Sequence, residues 1–317
     1  MQAEVAAVLH AMDDGAPTQF SIATYRANIN GMSSIEAVMG PTVPVGSKET
    51  IAIPTDAGGD EGGVWKAGEI SCNVYKPEGA GNEPLAALVY FHGGGYVVGT
   101  PELTDNVTRY VCKEANMIVF SVDYRYGPEF EYPQATEDCY AATKWVADNA
   151  ASLGVDPARI AIGGDSAGGN AAAVVAMMSR DRDGPKIALN WLLNPWIDLD
   201  LQSWPEYESY NKFHTLGFFK GPFHLVWMAM NYLGSGYQKK GQEDYCSPTR
   251  AGGTVHADLS GLPKTINAVF GADPLHDMGV ALAVGETDIL LHPPVPLSGV
   301  SIGINRGCHQ NDSLADG

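Results

Sequence analysis

Ile160-Ala161-Ile162-Gly163-Gly164-Asp165-Ser166-Ala167-Gly168-Gly169-Asn170 is the stretch whose reading decides the fold. An apolar run gives way to a glycine-rich turn, one serine, and then small residues as far as Ser179. That order predicts a buried strand, a tight turn and a helix. The serine stands in a G-x-S-x-G arrangement formed by Gly164, Asp165, Ser166, Ala167 and Gly168. A sharp strand-to-helix turn holds its central residue in strained backbone space, and side chains at the flanking positions would clash. The helix that follows points its N-terminus at the serine, which favours negative charge developing there. Ser166 is therefore the candidate nucleophile.

Working outward, the neighbouring segments alternate between strand and helix patterns. Continuous apolar runs at Leu85 to Phe91, Met117 to Val122, Arg159 to Ile162, Ala188 to Leu193 and Thr265 to Phe270 read as buried strands. Between them Leu103 to Ala115, Ala135 to Leu153 and Ala167 to Ser179 read as helices. Apolar strands separated by helices imply an α/β fold with a mostly parallel sheet covered on both faces. Thr50 to Ile53 and Ser71 to Tyr75 read as earlier strands joined by the glycine-rich stretch Gly58 to Gly63. Before them, residues 1 to about 45 carry helical patterning (Val5, Val8, Leu9 and Met12, then Ile35 to Met39). The aromatic-rich stretch Trp204 to Leu233 breaks the rhythm and reads as an insertion over the carboxyl edge of the sheet.

Directly after the strand ending at Phe91 comes His92-Gly93-Gly94-Gly95-Tyr96. Consecutive glycines let a loop present backbone N–H groups, which can donate to a tetrahedral oxyanion together with the Ala167 N–H. Gly94 is the first expected donor, with Gly93 or Gly95 as its neighbour. His92 precedes the nucleophile and reads as a loop-positioning residue. Tyr96 and Asp165, beside these motifs, and Phe213 and Phe218 in the aromatic insertion are the candidates for lining a substrate pocket.

A serine hydroxyl needs a base, and the base needs an orienting carboxylate. In strand–turn–helix folds of this kind the chain order is serine, acid, histidine. Asp273 follows the strand Thr265 to Phe270 and is the expected acid, with Asp277 as competitor. His276 is too close to Asp273 in sequence, and His292 leaves little room for an intervening helix and strand. His309, after the strand-like Gly299 to Asn305, is the expected base.

The bulk composition supports one large domain. Of 317 residues 45% are hydrophobic and 18% charged, enough to bury a sizeable core. A net charge of −18 disfavours nucleic acid and anionic membranes and suits a neutral small substrate. The five cysteines show no C-x-x-C spacing, which argues against a zinc site or a disulfide framework and fits a reducing compartment. No signal-peptide pattern and no long apolar run is present, so a cytoplasmic protein without a membrane span is expected. A homodimer is compatible with the sequence. No cofactor and no metal is implied.

Taken together, His92-Gly93-Gly94-Gly95, Asp123-Tyr124-Arg125 to Pro128-Glu129, Gly164 to Asn170, Asp258 to Pro263 and Asp273-Pro274-Leu275-His276-Asp277 resemble the hormone-sensitive-lipase-like esterases. The resemblance covers about residues 45 to 283. It implies an α/β-hydrolase fold whose cap is built from residues 1–45 and 202–235. It also implies a Ser166–His309–Asp273 triad and short- to medium-chain carboxylic esters as substrates. An amidase, or a pocket that binds without turnover, are the alternatives. Two departures stand out. Arg125-Tyr126-Gly127-Pro128 replaces the usual Arg-x-Ala-Pro. After Ala283, where the resemblance leads one to expect a helix, a strand and His-Gly-Phe, the chain is atypical.

Overall fold

The computed structural model describes residues 22–31, 40–60, 63–81, 83–214, 223–250, 254–255, 257–285, 289–291 and 300–305. Helix α1 (Ile22–Gly31) precedes β1 (Ser47–Thr55), β2 (Gly58–Asp60), β3 (Gly63–Trp65) and β4 (Gly68–Lys76). An alternating section follows: β5 (Leu85–Phe91), α2 (Asp105–Glu114), β6 (Ile118–Asp123), α3 (Gln134–Asp148), α4 (Ala150–Leu153), β7 (Val155–Asp165), α5 (Ala167–Asp181) and β8 (Leu189–Leu193). Beyond it lie α6 (Glu208–Phe213), α7 (Phe223–Leu233), α8 (Tyr237–Lys240), β9 (Thr249–Arg250), β10 (Thr254–Val255) and β11 (Thr265–Phe270). The last described elements are α9 (His276–Gly285), β12 (Ile289–Leu291) and β13 (Val300–Asn305).

The main sheet runs in the order β1-β4-β6-β5-β7-β8-β11-β13-β12. Its centre, β6 to β11, is parallel, and antiparallel strands extend both edges. The central strands are apolar because both faces are covered. Val89, Phe91, Phe120, Ile160 and Ile162 have no exposed surface, each contributing roughly 1.5–3 kcal/mol of burial. Helix α5 is buried continuously from Ala167 to Ser179, and its small side chains are what let it lie so close to the sheet.

Three expectations change in detail. The stretch Gly58 to Gly63 is not a plain connection: β2 and β3 pair as a small antiparallel hairpin. The long helix expected from Ala135 to Leu153 stops at Asn149, whose side-chain amide donates to the Trp145 carbonyl at 2.8 Å, and a short helix follows. The expected last strand is present as β13, but it runs antiparallel to β11. Phe218 and His309, and the expected helical segments at Val5 to Met12 and Ile35 to Met39, lie outside the described residues. No described helix is long and apolar enough to cross a membrane.

At the foot of the insertion a carboxylate is fully buried. Asp198 accepts from the Tyr207 hydroxyl at 2.8 Å, from the Asp200 N–H at 2.8 Å and from the Ser203 hydroxyl. Burial pushes this carboxyl up to about 6 from 3.8, against the pull of those three donors. A raised folded-state value means the native protein holds the proton longer than the unfolded chain. Its contribution to stability is therefore present at low pH and is lost as pH climbs from about 4 to about 6, by at most about 3 kcal/mol. The stability difference between wild type and Asp198→Asn, measured by denaturant unfolding, should shrink across that interval. A pH-independent difference would contradict this assignment.

Candidate active site

Ser166 closes β7 and opens α5 with φ 55° and ψ −119°, a conformation rare for any residue with a side chain. The surroundings enforce it. The Ser166 N–H donates to the Leu193 carbonyl at 2.9 Å, and the Ser166 carbonyl accepts from the N–H groups of Trp196 at 2.9 Å and Asn170 at 3.1 Å. The strained turn is thus fixed by β8, by the segment after it and by α5. Gly168 is required because any Cβ there would overlap the carbonyls of Phe91 and His92. That close approach sets the glycine loop against the serine.

The loop from His92 to Gly99 is fastened at several carbonyls. The Tyr124 hydroxyl donates to the His92 carbonyl at 2.6 Å, the Gly127 N–H to the Tyr96 carbonyl at 2.9 Å and the Tyr126 hydroxyl to the Gly99 carbonyl at 3.1 Å. Inside the loop the Val97 and Val98 N–H groups both donate to the Gly94 carbonyl at 3.1 Å. Gly94 has φ +128° and Gly95 φ +60°, so the chain turns here in a way that suits glycine. His92 is buried, stacks on Tyr124 with 4.4 Å between ring centroids, and donates from Nδ1 to the Gly93 carbonyl at 2.7 Å. Burial lowers its pKa to about 4, which keeps the ring neutral. It positions the loop.

The Asp165 carboxylate joins the two motifs. Its Oδ1 accepts from the Tyr90 hydroxyl at 2.8 Å and from the Gly93 N–H at 3.0 Å. Burial raises the Asp165 pKa, opposed by those two donors. The Gly93 N–H is therefore occupied, which removes Gly93 from the expected donors and leaves Gly94, Gly95 and Ala167. Asp165 also borders the space over Ser166, while its hydrogen bonds serve the loop.

A cavity of about 360 Å³ opens over Ser166 and the three glycines. Its walls include Tyr25 from α1, Leu225 and Met228 from α7, and Val98, Leu103 and Trp196. None of these six is among the pocket residues expected from the sequence. Leu225 and Met228 carry a readable signal, apolar residues three apart on a helix of the insertion; Tyr25 and Trp196 carry none. Two of the expected pocket residues do not border the cavity. Tyr96 is fully buried, stacked on Tyr232 at 4.1 Å, with its hydroxyl on Asn170 Oδ1 at 2.7 Å. Its positive φ turns the ring into the core. Phe213 is half-buried at the end of α6, where its ring takes the Lys212 ammonium at 5.1 Å.

Asp273 follows β11 at the same end of the sheet as Ser166, half-buried, with Oδ1 accepting the Leu275 N–H at 2.8 Å. Its competitor Asp277 is committed elsewhere: it accepts the Ser209 N–H at 2.7 Å and its own N–H donates to Ser209 Oγ at 3.0 Å, joining α9 to α6. Among the described residues, no histidine lines the cavity. Strand direction bears on the base. Because β13 is antiparallel to β11, with Ile304 opposite Ile266, it ends at the end of the sheet away from Ser166. β12 is antiparallel to β13 and so runs with β11, pointing toward the Ser166 end just before His292. The spacing objection to His292 fails, since α9 and β12 both fit between Asp273 and that residue.

This strained serine turn and glycine loop on a mostly parallel sheet define an α/β-hydrolase fold. A family model described as alpha/beta hydrolase fold matches residues 88–285, and the chain belongs to that family, in the hormone-sensitive-lipase-like group its motifs resemble. It is 35% identical over 275 residues to a carboxylic ester hydrolase, LipN, of Mycobacterium tuberculosis, a match covering 85% of this chain and 66% of that protein. It is 36% identical to the esterase LipI of the same organism, over 74% of this chain and 73% of that one. Among solved structures, an esterase of Pyrobaculum calidifontis superposes with a TM-score of 0.70 at 35% identity, covering 84% of this chain and 79% of that one.

Proposed function

We propose that this protein is a serine carboxylesterase acting on small, neutral, short- to medium-chain esters. The observation that carries the reading is Ser166, held at a strained turn beside Gly94 and Gly95 on an apolar-walled cavity. In the proposed cycle a histidine oriented by Asp273 takes the Ser166 proton and the serine attacks the ester carbonyl. Gly94, Gly95 and Ala167 N–H groups hold the oxyanion, each worth roughly 3 kcal/mol of barrier. The protonated imidazole gives its proton to the departing alcohol, and water then hydrolyses the acyl-enzyme. Relatives named as carboxylic ester hydrolases support the ester reading. The two-part cap on a single domain, a cytoplasmic location and a homodimer belong to the same proposal; Cys72, Cys112, Cys139 and Cys246, buried and joined in no disulfide, support a reducing compartment.

The test is turnover of 4-nitrophenyl butyrate against the matched anilide. Ester hydrolysis with little amide hydrolysis supports the reading, and the reverse preference overturns it in favour of an amidase. A second reading, a pocket that binds without turnover, is favoured by one observation: β13 leaves the sheet at the end remote from Ser166. Ester turnover by the wild type excludes it, and His309→Ala and His292→Ala then separate the two candidate bases. Loss of about 10⁴-fold in turnover confined to one variant names the base. Unchanged turnover in both removes the proposed base altogether.

A further inference from the structure

The Arg-x-Ala-Pro departure at Gly127 and the cap helix α1 meet at one side chain. Arg26, on α1, donates from Nε to the Val97 carbonyl at 2.7 Å and from Nη2 to the Gly127 carbonyl at 2.7 Å. Its two terminal nitrogens also pair with the Glu129 carboxylate, each at 2.8 Å, and its guanidinium lies 5.0 Å from the Tyr126 ring centre. Val97 belongs to the glycine loop, two residues beyond Gly95. Gly127 in turn donates its N–H to the Tyr96 carbonyl of the same loop. The second cap helix converges there too. A Cβ at Gly127 would overlap the Asn231 carbonyl of α7, so an alanine in that position would push the helix away. Further along α7, the Met228 side chain fills the space that a Cβ on Gly95 would need.

We propose that Arg26 is a positioning residue for the oxyanion loop, so that docking of the cap sets the geometry of Gly94 and Gly95. Magnitudes separate its contacts. The pair with Glu129 lies at the solvent, with the glutamate side chain more than half exposed, so water and salt screen it. The bonds to the two backbone carbonyls are charge-assisted, partly buried, and made to the loop itself. The guanidinium fork suits this task because it aims several donors in fixed directions, which an ammonium does not. A displacement of about 1 Å in a loop that must meet a developing charge lowers rate about a hundredfold. A cap that only walled the pocket would instead alter KM, and only for substrates long enough to reach it.

The inference rests on the esterase reading for its kinetic arm, and a second arm stands apart from turnover. With 4-nitrophenyl acetate, which carries a minimal acyl group, Arg26→Ala should lower kcat at least about tenfold with KM held within about threefold. Millimolar guanidinium should restore part of the loss, and Glu129→Gln should stay within about twofold of wild type. Arg26→Gln keeps the aliphatic stem over Tyr126 and should fall between the two, which preserves the comparison if the alanine variant folds poorly. Hydrogen exchange at the Val97 and Val98 amides should accelerate in Arg26→Ala. A wild type that turns over no ester defeats the esterase reading, and the exchange arm then decides the inference alone. Unchanged exchange, or unchanged kcat on the acetate ester in an active enzyme, overturns it.

Discussion

Ser166→Ala is expected to lower ester turnover by about 10⁴- to 10⁶-fold while leaving the fold intact. The alanine removes one oxygen from a site whose backbone is fixed by Leu193, Trp196 and Asn170, none of which depends on the hydroxyl. The strained φ of 55° also persists in the variant, so its stability should change little. What disappears is the covalent route. Without an attacking oxygen the remaining donors polarise a carbonyl that only bulk water can reach. The measurement is kcat/KM on 4-nitrophenyl butyrate together with the thermal midpoint of each protein. A variant that keeps a tenth or so of wild-type activity would place the nucleophile elsewhere.

Gly94→Ala should produce the next largest loss, about 10²- to 10³-fold in kcat. Gly94 has φ +128°, and a Cβ there would overlap the Val98 carbonyl. The loop must give way, and the displacement moves the Gly94 and Gly95 N–H groups from the position where charge develops. Because the apolar walls come from Tyr25, Leu225, Met228 and Trp196, ground-state binding is largely preserved. The loss should therefore fall on kcat, with KM changed by less than about fivefold. Equal changes in both, or a rise in KM alone, would assign this glycine to binding.

Much of this arrangement is readable from the residues. The strand ending at Phe91, the Gly164 to Gly169 turn and the buried helix after it are each dictated by local pattern. Apolar runs of strand length bounded by glycine leave few alternatives, and Ser166 at positive φ is what that motif requires. The assignment of Gly93 as a donor fails because its N–H meets Asp165, a contact between positions far apart in sequence that no local pattern announces. Tyr96 misleads for a similar reason: a tyrosine beside a site suggests a wall, whereas its backbone angle and Tyr232 draw it into the core. The proposed cap is the least legible part. Tyr25 and Arg26 sit in a helix of weak amphipathic pattern, and what makes them matter is the loop across from them. The direction of β13 also has no signature, since a short apolar run reads the same in either sense. The preference for His309 over His292 has two grounds, spacing and the strand-like run before His309; the placement of α9 and β12 removes the first, and β13, though present, ends remote from Ser166.

The most direct measurement of the central claim is the reaction of the wild-type protein with a fluorophosphonate, followed by intact mass and peptide mapping. A single adduct is expected, on the peptide containing Ser166, forming in step with the loss of esterase activity. A folded protein that takes up no label, or takes it up on another residue, would contradict it.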